Sequence, residues 1–268
     1  MKAAMLPKIL PTSSYLPLYR AAAIFQIALF PLLAYADEIR VFAAGAAKQA
    51  VESLAPAFEK TTGHTLRNQF DTVGALRDRV LLAPPGTTAD VVILSDAALN
   101  ALRAAGRLMD TPANKIGQVV VALAVPHNAA VPDLSTRDSL RKALISTPSL
   151  AYADPARGAT AGTHFAKVVA ELGLQEAMQG KTTVMPFGVD VIRAVSEGRY
   201  ALGVSQSSEI MQHPGIRYAG PLPPPYGLAT AYGAALASDR PAARQLLDFL
   251  SQPAAMQAFR QSGFVPEP

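Results

Sequence analysis

From Ile39 to Gln261 the chain alternates short apolar runs with stretches of helical spacing, and few architectures accommodate that rhythm. Ile39 to Ala43, Thr65 to Phe70, Asp90 to Leu94, Gln118 to Val125, Leu150 to Ala153, Thr182 to Met185, Tyr200 to Val204, Gly215 to Gly220 and Thr230 to Ala237 read as strands. Ala47, Val51, Leu54 and Phe58 share one face of an intervening helix that Gly63 ends, although Pro56 removes a hydrogen bond inside it. Pro84-Pro85-Gly86 stops a helix over Val73 to Ala83, and Asp96 is placed to cap one that runs to Gly106. Ser135 with Asp138 resembles a capping box, and helices over Pro241 to Leu250 and Pro253 to Gln261 finish the chain. The alternation predicts an α/β fold, with mainly parallel sheets and flanking helices. Gln118 to Val125 is almost purely apolar, as a strand buried on both faces of a parallel sheet would be.

The first 36 residues stand apart. Lys2, Lys8 and Arg20 accompany an apolar run from Ala21 to Ala34, and Ala34-Tyr35-Ala36 supplies a small-x-small cleavage pattern. Residues 1–36 therefore read as a signal peptide cut after Ala36, which places the mature chain in the periplasm. The run is shorter than the roughly 20 residues of a spanning helix, and Pro31 interrupts it, so no membrane insertion is expected once it is removed. The whole chain has 24 basic and 20 acidic residues, and three basic residues but no acidic one precede Asp37. The mature chain is thus close to neutral, and nucleic acid is not an expected partner. With no cysteine, disulfides, zinc–thiolate sites and a Cys nucleophile are excluded.

In open parallel sheets ligands bind where strands run into helices. Three such junctions are stripped of bulk: Ala43 to Ala47, Asp71 to Gly74, and Gly158 to Gly162. Helix N-termini there offer unpaired N–H groups to an anion. The backbone at Gly45, Ala46, Gly74, Ala161 and Gly162 is accordingly a candidate ligand cradle, with Thr72 in the second junction and Val189 at the start of a further helix. Arg157, Thr160, Thr163, Gln206 and Ser207 are candidate side-chain contacts, although each also suits an ordinary loop or capping role. HExxH, GxSxG and Walker patterns are absent, and neither a metal nor a cofactor is expected.

Val41-Phe42-Ala43-Ala44, Ala89-Asp90-Val91-Val92-Ile93-Leu94-Ser95-Asp96, Ala153-Asp154-Pro155 with Ala161-Gly162, Leu202-Gly203, and Phe249-Leu250 through Phe264 occur in an order that resembles the molybdate-binding proteins of bacterial ABC importers. The resemblance implies the two-lobed type II periplasmic binding-protein fold. Residues 37–118 and 222–268 would form lobe I and residues 119–221 lobe II, with the chain crossing near Gln118 to Val125 and Gly215 to Pro221. It also implies a hinge that closes on a small anionic ligand, and an ABC-type inner-membrane permease as a partner. Two serines that hold the oxyanion in that family are replaced by Ala46 and Val73, and a tyrosine by Gln206. Each missing donor costs on the order of 1.5–3 kcal/mol with a charged ligand, which favours an organic carboxylate over molybdate.

Gln206-Ser207-Ser208-Glu209, Pro214 through Pro223 and Asp154 through Phe165 resemble a divergent branch that includes aconitate isomerases. Two functions follow from these resemblances. The first expectation is a binding protein for a small organic anion. The alternative is an isomerase that moves an allylic proton of an unsaturated polycarboxylate, with His164 or Glu209 as base and Arg157, Arg193 or Lys48 holding carboxylates.

Overall fold

The computed structural model describes residues 36–267. All of the expected leader except Ala36 lies outside the described residues. Among the described residues nine strands form one hydrogen-bonded sheet: β1 (Glu38–Ala44), β2 (Thr65–Asp71), β3 (Val91–Ser95), β4 (Asn114–Pro126), β5 (Leu150–Ala153), β6 (Thr182–Met185), β7 (Leu202–Gln206), β8 (Ile216–Pro221) and β9 (Ala229–Leu236). Their order is β2-β1-β3-β9-β4-β7-β5-β6, with β8 paired to β4 off that path. The helices are α1 (Lys48–Thr62), α2 (Val73–Leu82), α3 (Asp96–Ala104), α4 (Arg137–Ser146), α5 (Thr160–Glu171), α6 (Gln175–Met178), α7 (Gly188–Ser196), α8 (Ser207–Ile210), α9 (Pro241–Leu250) and α10 (Pro253–Gln261). The arrangement is α/β and two-lobed.

β4 joins the lobes. Its first half, Asn114 to Val120, runs antiparallel to β9, and its second half pairs antiparallel with β7 and β8. Its burial on both faces therefore comes from helices packed on either side (α5, α7, α8 and α10) rather than from parallel neighbours, which corrects the sequence expectation. The return crossing also differs from expectation. β8 pairs wholly within the second lobe, and the chain re-enters the first lobe at Leu228–Ala229, where the Leu228 carbonyl accepts from Val121 N–H at 3.0 Å. Leu222 and Tyr226, expected in lobe I, are buried in the second core because their apolar side chains close the gap beneath the Pro-rich connector. The crossing strands β4 and β9 lie side by side, a two-strand hinge.

Among the described residues one core gathers residues from Ile39 to Val119 and from Tyr232 to Phe264, a second gathers residues from Val121 to Tyr226, and a smaller cluster from Ala122 to Ile210 adds to the second lobe. α1 runs unbroken through Pro56 because Val51, Leu54 and Phe58 anchor it to the first core on either side of the lost bond. Gly63, at φ 76°, ends it in the left-handed conformation that glycine adopts without strain. Two caps shift by one residue from their expected places. Ser95, not Asp96, accepts from Ala98 N–H, and the box before α4 is Thr136 with Ser139 rather than Ser135 with Asp138. In both cases the residue with extended backbone, not its neighbour, can turn its oxygen onto the first helical turn.

Candidate functional site

The N-terminal ends of α1, α2, α5, α7 and α8 converge on a cavity of about 310 Å³ between the lobes. A single 3-10 turn, Gly45–Ala47, leads into α1 and brings Gly45 and Ala46 to the wall. Thr72 caps α2 by accepting from Ala75 N–H, so the start of α2 also faces the chamber. Thr160 and Ala161 open α5, and Val189 lies one residue into α7; all three line the same space. A ligand there meets several positive helix ends at once.

Glu209 is the buried carboxyl of the chamber. Ser205 Oγ donates to its Oε2, and Gln206 N–H approaches the same oxygen at 3.4 Å. No cation pairs with it among the described residues. Burial pushes the carboxyl above its usual range, and the nearby Asp190 charge adds to this, while the bonds from Ser205 and Gln206 work the other way. Two glycines from opposite lobes make room for it. A Cβ on Gly45 would lie 2.8 Å from Oε1, and one on Gly188 would overlap Oε2.

Tyr232 enters from β9. It is 1% exposed, stacks edge-on against Phe264 with ring centroids 5.7 Å apart, and lines the cavity. Burial first and the Glu209 charge second hold its phenol protonated well beyond its ordinary range, against a hydrogen bond with the Thr160 side chain. Gln206 is 4% exposed, and both polar atoms of its side chain lack a partner among the described residues beside the chamber. A buried amide in that state is poised for a ligand or water. Tyr232 and Ser205 were invisible to sequence reasoning, because in an apolar strand and at a strand end they read as ordinary core and cap.

The charges are unevenly committed. Arg193 lines the cavity but pairs with Asp190 at 2.5 Å, and Lys48 is held only loosely, 3.9 Å from Glu52 and 5.6 Å above the Phe70 ring. Arg157 lies outside the lining, where it bridges the lobes. It pairs with Asp71 at 3.1 Å and stacks on Phe187 at 4.8 Å. Beside it Thr72 Oγ1 donates to the Arg157 carbonyl, and Gly74 N–H donates to Gly158 at 3.2 Å.

Several candidates therefore serve other ends. Gly74 spends its N–H on Gly158, and its Cα packs so closely there that a Cβ would fall 2.7 Å from the Gly158 Cα. Gly162 is glycine because a Cβ would overlap the Ala153 carbonyl, and Thr163, exposed one residue on, points away from the chamber. His164 does not reach the cavity; its Nε2 is 2.7 Å from the Tyr226 carbonyl within the second lobe. Ser207 Oγ accepts from Val120 N–H at 3.1 Å and so pins α8 to the hinge strand. The residues that the fold does gather at the chamber are Gly45, Ala46, Lys48, Thr72, Thr160, Ala161, Val189, Arg193, Gln206 and Glu209.

Residues 39–265 match the family model described as bacterial extracellular solute-binding protein. An aconitate isomerase from a Pseudomonas species is 31% identical over 253 residues, covering 90% of this chain and 94% of that protein. Among solved structures, a periplasmic molybdate-binding protein from Azotobacter vinelandii superposes with TM-score 0.68 at 19% identity, covering 86% of this chain and all of the other. A sulfate-binding protein from Mycobacterium tuberculosis superposes with TM-score 0.65 at 16% identity, over 86% of this chain and 87% of the other. These structural likenesses show the fold, and the match along 39–265 shows the lineage: the chain belongs to the bacterial extracellular solute-binding protein family.

Proposed function

We propose that this is an exported protein that closes around an unsaturated polycarboxylate and moves an allylic proton within it, interconverting trans- and cis-aconitate or a close analogue. The observation that carries this reading is Glu209, a carboxyl without a cation partner among the described residues, held above its usual range and aimed into an interlobe cavity. A base so tuned is better matched to proton abstraction near neutral pH than an ordinary carboxylate. The relative that is 31% identical along 94% of its length is an aconitate isomerase, which supports the same reading.

Glu209 takes a proton from the methylene carbon alpha to a carboxylate. The electron pair left behind spreads over the allyl system, and a proton returns to the former vinyl carbon as the double bond moves one carbon along. No atom is gained or lost, and the shifted double bond can adopt either geometry. Tyr232 O–H and the helix N-termini stabilise charge developing on the carboxylate oxygens, and Lys48 and Arg193 hold carboxylates that do not react. The uncharged amide of Gln206 offers both a donor and an acceptor to the ligand.

Incubating trans-aconitate with the purified protein and following cis-aconitate tests the reading. Catalytic conversion is expected, and an inert protein at micromolar concentration rejects it. A second reading, stoichiometric capture of an organic anion for delivery to an ABC-type permease, has its own support in the family match and the convergent helix ends. Calorimetry that finds tight binding without product selects it. Export rests on the leader pattern of residues 1–36 and is tested by cell fractionation and N-terminal sequencing, with Asp37 as the expected first residue.

A further inference from the structure

Glu209 stands between two cavities. Behind the main chamber, a second one of about 210 Å³ lies between the first turn of α1 and the corner of α7 and α8. Gly45, Ala46, Lys48, Val189 and Glu209 line both. Ser208, Gln212 and His213 line only the second.

Two of these carry polar atoms with nothing to bond. Ser208 is 2% exposed, and its Oγ has no partner among the described residues. Gln212 donates its Nε2 to the Ser262 carbonyl at 2.6 Å, which leaves Oε1 buried and unpartnered. An orphaned buried polar atom costs about 1–3 kcal/mol unless water satisfies it. The cavity sets these polar groups in an otherwise largely apolar wall and is roomy enough for several waters at about 30 Å³ each. His213 accepts from Gly215 N–H through Nδ1 at 3.3 Å, which fixes its ring at the same wall. Glu209 meets this space as well as the chamber. Its Oε2 is taken by Ser205 and Gln206, while Oε1 lies against Gly45, which borders both cavities.

We infer that the second cavity is a water-filled proton route, linking Glu209 to bulk solvent past Ser208, Gln212 and His213 while a ligand fills the main chamber. The inference rests on the proton-transfer reading above. The proton removed from the methylene carbon becomes the Glu209 O–H and exchanges with water in this route. A solvent-derived proton then goes to the other end of the allyl system. Glu209 returns to its starting state, and the substrate has exchanged one hydrogen with solvent.

The experiment follows that hydrogen. Trans-aconitate is turned over in D2O, and the deuterium at the newly formed C–H bond is read at low conversion by NMR and mass spectrometry. The wild-type product is expected to carry deuterium there. In Ser208→Val, and separately in His213→Phe, the deuterium fraction falls several-fold, because the original hydrogen is handed across before it can exchange. Thermal melting identifies a variant that has lost its fold, in which case the other carries the comparison. Equal deuterium content in folded variants, or a wild-type product that keeps the substrate's own hydrogen, overturns the route alone. A wild type that forms no cis-aconitate overturns the proton-transfer reading and the route with it.

Discussion

Gly188 and Glu209 are matched to one another: the missing side chain of the first is the space in which the Oε2 of the second lies. Gly188 is the first residue of α7, and Glu209 is in α8, which follows β7 along the chain. The pairing also places Ser205 Oγ, which a Cβ on Gly188 would overlap as well. Gly188→Ala should therefore leave the fold standing, since the end of a side chain can yield, and misplace the base. Displacement by about 1 Å is expected to lower turnover on the order of 100-fold. Steady-state kinetics beside a thermal melt unchanged within a few degrees would check it.

Removing the base altogether should separate binding from chemistry. Glu209→Gln keeps shape and hydrogen-bonding capacity but takes no proton, and turnover of trans-aconitate should fall by about 10²- to 10⁴-fold. Ligand affinity measured by calorimetry should hold or tighten, because one negative group leaves a chamber built for an anion.

The same carboxyl makes opposite demands on pH. The base must be ionised, so kcat/KM should rise with pH through a range above that of an ordinary carboxylate. Stability runs the other way. The folded state keeps the Glu209 proton to higher pH than the unfolded chain does, so its contribution is full below the ordinary carboxyl pKa. It is lost as pH rises toward the raised value. Melting curves at pH 4 and pH 7 should show Glu209→Gln gaining on the wild type at the higher pH.

The two lobes meet backbone to backbone. Gly74 and Gly158 bring the lobes within one N–H···O bond of 3.2 Å, flanked by the Asp71–Arg157 pair. Asp71→Asn, which removes a partly exposed pair, should weaken ligand binding by no more than about fivefold, or ~1 kcal/mol. Gly74→Ala should cost more, because its Cβ would sit 2.7 Å from the Gly158 Cα and neither backbone can give way. Calorimetry would read the affinities, and solution scattering with and without ligand would show whether the variant still compacts.

Asp90 governs the acid limit. Burial alone would raise this fully buried carboxyl, but the side chain and backbone of Arg40, with Ser238, hold it at about 2. Arg240 adds a further bond at 3.0 Å. The resulting stability, about 2 kcal/mol, is fully present above the ordinary Asp pKa and lost as pH falls toward 2. Asp90→Ala, which takes a buried carboxylate from two part-exposed arginines that keep other partners, should destabilise by about 2–3 kcal/mol in urea unfolding at neutral pH.

Much of this molecule is written in local pattern. The α/β alternation, the ends of α9 and α10, the turn at Gly63 and the small-residue junctions at Gly45–Ala46 and Thr160–Ala161 follow from spacing and turn chemistry alone, because each depends on neighbours a few residues away. Glu209 was legible as a candidate through its motif, but His164, one turn into a glycine-rich junction, looked equally suited to act as the base. Helix α5 turns that ring onto the Tyr226 carbonyl instead.

Only the tertiary structure decided which of these groups share a space. Tyr232 sits in a strand whose composition reads as core, and its hydroxyl matters because β9 crosses the hinge beside β4 and delivers it to Glu209's chamber. Gly74, Gly158 and Gly188 could be recognised as permissive turns. That two of them are an interlobe contact and the third a berth for a carboxylate depends on partners 21 to 84 residues away along the chain. Periodicity records which face of an element is buried, whereas a cleft between lobes is lined by residues whose neighbours are set by the packing of the whole.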